Sequence, residues 1–238
     1  MHQRFFALRA HGDVAKFEYE DGIVRSAASG LLTEESGIDH VVADVATETA
    51  LHGASEFAKS SWDASLLISS ATPDEPGIAE VPDLVADVAM VTESWPARVL
   101  TAGGLDSTWH GTTVPATKTS FVFRRAAGID AASFEEWIQN ELVDTVNNVG
   151  TRGSRAILTR DDGDFDDRAI VSMWFAQGDD LYNATATEIF SPFAGSSLID
   201  ADSLQLFTSV EHRLDPNPNA WSMPTGPLMP VRETPDDD

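Results

Sequence analysis

The stretch SFVFRRAAGIDAASFEE, Ser120–Glu136, has a counterpart near the start of the chain, RFFALRAHGDVAKFE, Arg4–Glu18. With Phe5 set over Phe121 and one gap after Gly12, eight of fourteen aligned positions coincide: Phe5, Arg9, Ala10, Gly12, Asp13, Ala15, Phe17 and Glu18. Ordinary residue frequencies would give roughly one such match. Each stretch runs from an apolar segment through a glycine-containing turn into an amphipathic segment, the order of a strand, a tight turn and a helix. A chain that opens in this way twice reads as a tandem pair of small α+β units.

Outward from these openings, the halves keep the same order. In the first, strands are expected at Arg4–Ala10, Gly37–Ala46, Trp62–Ser70 and within Asp83–Trp95, with a helix over Val14–Ser29 capped by Asp13. A second helical segment, Thr47–Ser60, falls between strands two and three rather than after them. In the second half, strands are expected at Thr119–Ala126, Gly153–Asp161, Arg168–Ala176 and Ser203–Leu214, with helices over Asp130–Val149 and Asp180–Phe193. Phe134, Trp137, Ile138, Leu142 and Val146 fall at helical spacing, and Asp130 or Ser133 can cap that helix. Each half therefore reads β-α-β-β-α-β, the ferredoxin-like pattern. Such a sheet carries helices on one face only and needs a cover on the other. Two units packed sheet to sheet, as a pseudo-dimeric α/β barrel, satisfy that need within one chain. The expected boundaries are 1–95 for a degenerate first unit, 96–117 for a Gly-, Thr- and Pro-rich linker, 118–214 for the second unit and 215–238 for a proline-rich acidic tail.

Composition narrows the chemistry. The 238 residues include no cysteine, so disulfides, thiolate metal sites and cysteine nucleophiles are excluded together. Fifteen basic against thirty-nine acidic residues give a net charge of −24, which repels phosphate backbones and anionic lipid. Neither nucleic acid nor a membrane is an expected partner. The plain meaning of that charge is solubility; a steered cationic substrate is the sharper one. No apolar run reaches the ~18 residues of a membrane span, and the start lacks a secretory pattern, so a cytoplasmic protein is expected. DDGDFDD, Asp161–Asp167, fails the calcium-loop pattern, with Asp167 where Gly is needed and Met173 where the closing Glu is needed. It reads as a solvated hairpin, and no metal is expected.

Four stretches of the second half carry a family resemblance: FVFRRAAGIDAASFEEW, GSRAILTRD, AIVSMWF and EIFSPFAGSSLIDADSLQLFTSVEHRL. In order and spacing, from about Lys118 to Leu214, they resemble the EthD-like family of the dimeric α/β-barrel (ferredoxin-like) superfamily. The resemblance implies a hydrophobic pocket between sheet and helices or inside the barrel. It also implies cyclase, dehydratase or cofactor-free oxygenase chemistry on aromatic or polyketide-like molecules. Where many members carry a histidine in the first helix, this chain has Leu142, with Glu141 beside it, and Arg25 in the first half.

Three side chains are candidates for proton transfer. His212, in VEHRL, matches the histidine of the family's last strand. His40 shares a strand face with Val42 and Asp44 by two-residue alternation, and a neutral-range imidazole near a carboxylate can act as a base. Glu141 in an apolar pocket could serve as acid or base. Each competes with an ordinary surface role. Trp137, Trp174, Phe121 and Phe123 are candidate substrate-binding walls as well as core. The reading is a cofactor-free enzyme, of lyase or isomerase type, acting on a small carbonyl or aromatic compound by proton transfer: dehydration, cyclisation, isomerisation or C–C cleavage. A cofactor-free monooxygenase and a non-catalytic ligand-binding or accessory protein are the alternatives. The expected partner is a small hydrophobic substrate, with further self-association of the whole chain left open.

Overall fold

The structure is a computed structural model and describes residues 2–26, 30–33, 35–47, 58–104, 116–144, 151, 153–159, 167–176, 193 and 195–214. Along the chain it runs β1 (His2–Ala10), α1 (Lys16–Ser26), β2 (Ile38–Ala46), β3 (Ala58–Lys59), β4 (Ala64–Ser70), α2 (Pro76–Val85) and β5 (Ala89–Gly104). There follow β6 (Ala116–Arg125), α3 (Ala131–Trp137) continued by a π-helical turn (Ile138–Leu142), β7 (Gly153–Thr159), β8 (Arg168–Ala176) and β9 (Ile199–Leu214). The expected helix Asp180–Phe193 lies, apart from Phe193, outside the described residues, as do the 215–238 tail and 161–166 of the expected solvated hairpin; the last residue of that hairpin, Asp167, is instead buried and pairs with Arg125 at 3.2 Å.

All the strands belong to one sheet, in the order β2-β4-β1-β5-β7-β8-β6-β9, and a β2–β9 pairing closes the ring. The eight are antiparallel, and the two-residue β3 joins β9 in parallel. This corrects the expectation of two separate sheets laid one on the other. The four strands of each half do lie side by side, but they meet edge to edge, β5 with β7 and β2 with β9. Backbone hydrogen bonding decides this: closure leaves no unpaired edge on either set, whereas two stacked sheets would expose four.

Three packed layers follow. One apolar cluster draws on all eight strands (Phe5, Ala7, Val42, Leu67, Trp95, Val122, Ile157, Ile170, Phe207) and fills the barrel interior together with Trp62. Outside, α1 and α2 cover β1, β2 and β4 through Phe6, Leu8, Tyr19, Ile23, Val41 and Val81. On the other side, α3 covers β6 to β9 through Phe121, Phe123, Phe134, Trp137 and Leu142. Strands buried on both faces read as continuous apolar runs, which is why RFFALRA and SFVFRR stand out in the sequence. Asp130 caps α3, its carboxylate accepting the Ser133 N–H at 2.8 Å, as expected.

Several boundaries move. The second helix of the first half is α2, not Thr47–Ser60; Ala58–Lys59 is strand, and 48–57 lie outside the described residues. Prolines obscured α2: Pro76 occupies its first turn and Pro82 its interior, where the ring removes a backbone donor. The stretch from Pro96 to Gly104, assigned to the linker, continues β5 and pairs with β7 from Ala97 onward. Gly37, just before β2, has φ of 69° and a Cβ there would meet the Glu75 side chain, so a β-carbon is disfavoured twice over. The duplicated opening also shifts. Phe5 faces the barrel interior while Phe121 faces α3, so the aligned pair sits on opposite faces of the sheet. Phe6 and Phe121 are the residues in matching positions, one step away from the sequence alignment.

Candidate functional site

A pocket of about 290 Å³ opens between the start of α1 and the ends of β1 and β2, lined by Ala10, Val14, Lys16, Tyr19, Ala46, Thr47 and Asp63. Ala10, Val14 and Ala46 supply apolar wall. Helical periodicity puts Lys16, Tyr19 and Ile23 on one side of α1, with Ile23 in the core and Lys16 at the open end. Asp63, just ahead of β4, is fixed by its own backbone: its N–H donates to Leu8 O at 2.9 Å, its carbonyl accepts from Ala46 N at 2.8 Å, and Oδ2 accepts from Ala10 N at 2.9 Å. Tyr19 is 4% exposed, and its hydroxyl has no hydrogen-bond partner among the described residues. Burial, and then the Asp63 charge, push the Tyr19 phenol well above its usual range. It stays protonated and can donate. A neutral donor, a carboxylate and an ammonium thus meet on an apolar wall, the arrangement of a small-molecule site.

His212 lies one helical face away. It projects outward from β9, and its Nε2 is 3.6 Å from Glu20 Oε1 on α1. The imidazole holds the Glu20 carboxyl below its usual range in spite of partial burial. The His212 of the second half therefore works against a helix of the first, a meeting that only the β2–β9 closure produces. Of the other sequence candidates, Glu141 is exposed on the π-helical turn. His40 lies on the same strand face as Val42 and Asp44, opposite Ser69. The Asp44 carboxylate is held by Lys118 rather than by His40. Phe121, Phe123 and Trp137 pack with Phe134 and Phe193 beneath α3, and Leu142 is buried with them. Trp174 is fully buried inside the barrel, on the other face of the sheet from those three.

A second opening, about 270 Å³, lies at one rim of the barrel and includes Trp62, Glu93, Arg124, Arg168 and Asp200. Here Arg168 stacks on Trp95 at 4.3 Å and pairs with Glu93 at 2.7 Å, so the two opposite charges already neutralise each other.

Deeper in the barrel lies a charge cluster that sequence reasoning did not single out. Lys118, 2% exposed, places Nζ 2.8 Å from Asp44 Oδ2 and 2.8 Å from Glu211 Oε2. Arg155 reaches Glu211 Oε2 at 3.3 Å and Arg213 reaches Oε1 at 2.7 Å. Lys118 and Arg155 lie 5.3 and 5.2 Å from the Trp174 ring. Burial would raise Glu211, but Lys118, Arg155 and Arg213 together hold it below its usual range. For Asp44 burial wins over Lys118, and its carboxyl is raised. The available signal was the scarcity of lysine. The chain has three, and one interrupts the apolar run of β6 on the inward face, in step with Ser120 and Val122.

Among the described residues, no group of three or more His, Asp or Glu is placed to hold a metal ion, and no helix is long and apolar enough to cross a membrane. No protein-family model matches the chain, and neither does any curated protein. Solved structures do resemble it. A candidate monooxygenase from Lactobacillus acidophilus NCFM aligns with a TM-score of 0.51 at 9% identity over 91% of this chain and 97% of that one. An anthrone oxidase-like protein aligns at 0.50 and 9% identity over 91% and 94% of the two chains. At such identity the likeness is one of fold alone, that of an α/β barrel with a closed eight-stranded antiparallel sheet and helices packed outside it.

Proposed function

We propose that the chain is a cofactor-free enzyme that moves a proton on a small, largely apolar carbonyl or aromatic compound, bound between α1 and the sheet. The observation that carries this reading is the pocket in which the neutral Tyr19 phenol and the Asp63 carboxylate share an apolar wall. Asp63 takes a proton from a carbon next to a carbonyl, while the Tyr19 hydroxyl donates to the oxygen on which negative charge develops. Lys16 adds a positive charge at the open end. The chemistry then ends in dehydration, cyclisation, isomerisation or C–C cleavage according to the substrate. A cofactor-free monooxygenase shares the first step. There the carbanion takes up dioxygen and water leaves, and the names of the two structural relatives favour keeping this second reading. The tandem EthD-like origin is part of the same proposal. Its support is that strands β1, β2, β4 and β5 and strands β6 to β9 follow the same spatial order within each half.

Anthrone, whose C10 hydrogens are acidified by the carbonyl, is a direct probe. In deuterated buffer without oxygen, the protein is expected to accelerate loss of the C10 proton signal. Tyr19→Phe and Asp63→Asn should each lower that rate by about 10²–10⁴-fold. Because the Tyr19 hydroxyl is unpartnered, Tyr19→Phe should leave the melting temperature unchanged or raise it. Quinone formation on admission of oxygen would favour the monooxygenase reading. Binding without proton exchange would identify a ligand-binding protein instead.

A further inference from the structure

The β2–β9 pairing that closes the barrel sets Asp44 directly opposite Glu211. Like charges facing each other across an antiparallel pair repel, and here both are buried, where repulsion is screened least. Lys118, from β6, inserts between them and is within 3.0 Å of both carboxylates. Around them stand Arg155 from β7, Arg213 from β9, the Trp174 ring from β8, and the hydroxyls of Ser65 from β4 and Ser209 from β9, which reach Asp44 at 3.3 and 3.4 Å. The charges are not shared evenly. Glu211 has two arginines besides Lys118. Asp44 is hydrogen-bonded by Lys118, and among the described residues neither arginine is seen to bond it. The other junction between the halves, β5–β7, packs Val99 against Ile157 on the inward side.

We infer that Lys118 is the latch of the barrel: it holds together the strand pair that closes the ring, and without it closure at β2–β9 depends on a proton taken up by Asp44. Without Lys118, the folded protein binds that proton more readily than the unfolded chain does. Burial raises Asp44 even with Lys118 in place, and loss of that cation raises it further, so the Asp44 contribution to stability is fully present below the unfolded Asp value, 3.8, and is lost as pH rises through the raised folded one.

The test uses the full chain in three forms: wild type, Lys118→Met, and Lys118→Met with Asp44→Asn. The double variant removes one buried charge of each sign and leaves Glu211 with Arg155 and Arg213. Lys118→Met should melt about 10 °C or more below wild type at pH 8 and recover part of that loss at pH 5. The double variant should melt well above the single variant at pH 8 and lack the recovery on acidification. Backbone hydrogen exchange in the single variant should rise first in β2 and the end of β9, before β5 and β7. If Lys118→Met does not fold at pH 8, the double variant still decides: failure of Asp44→Asn to restore folding overturns the latch. A loss that is equal at both pH values, or exchange that rises equally at both junctions, overturns it as well.

Discussion

A Glu211→Gln protein is expected to lose about 3–5 kcal/mol of stability at pH 7, and hence to melt on the order of 10 °C lower. Glutamine keeps the volume of glutamate but replaces one acceptor oxygen with an NH2 donor. What it removes is the charge on which Lys118, Arg155 and Arg213 converge. Lys118, Arg155 and Arg213 then lose the anion they share, and an uncompensated buried charge costs far more than the intact cluster contributes. The pH dependence separates charge from packing. Glu211 is held below its ordinary value when folded, so its contribution is fully present above the unfolded value, 4.5, and is lost as pH falls below it. Thermal unfolding should therefore show a wide gap between wild type and variant at pH 7 that narrows steadily below about pH 4.5. A gap of constant width would mean that shape, not charge, had been removed.

Phe5→Ala should cost a similar amount, about 3–5 kcal/mol, because a large ring is deleted from an interior that cannot collapse around the space. Phe5 stands at the middle of β1 with its ring 5.4 Å from that of Trp62 and 6.0 Å from that of Trp95, and those two lie 6.0 Å apart. The wall behind them is a closed ladder of strands, so neighbouring backbone cannot move inward without breaking hydrogen bonds on both sides. Chemical unfolding gives the loss, and tryptophan emission gives its location, since Trp62 and Trp95 gain solvent access. Phe5→Leu, which keeps most of the volume, should cost less than half as much. Equal losses for Ala and Leu would place the ring outside the tightly packed layer.

That side chain also shows where sequence and structure part. The apolar runs, the glycine turns and the amphipathic helix after each opening are local features. Strand and helix periodicity set them, and β1, β2, β6, β8 and the capped α3 lie where the periodicity places them. The absence of cysteine and the acidic surface are equally local and equally legible. The face that a strand residue occupies is not: in a strand buried on both sides the pattern is apolar throughout, so a one-residue slip, as between Phe5 and Phe6, leaves no trace in the sequence while turning the side chain to the other layer. The helix α2 was hidden because Pro82, in its interior, contradicts helical propensity, which tertiary packing of Val81 and Val85 overrides; Pro76 stands at its first turn, where proline is tolerated. The sites depend still more on the long-range fold. Tyr19 and Asp63 are 44 positions apart, Glu20 and His212 belong to different halves, and Asp44, Lys118 and Glu211 meet only when β2 pairs with β9. The order of elements follows from the chain itself; which polar groups face one another was decided by closing the sheet, because only a closed ring brings its first and last strands together.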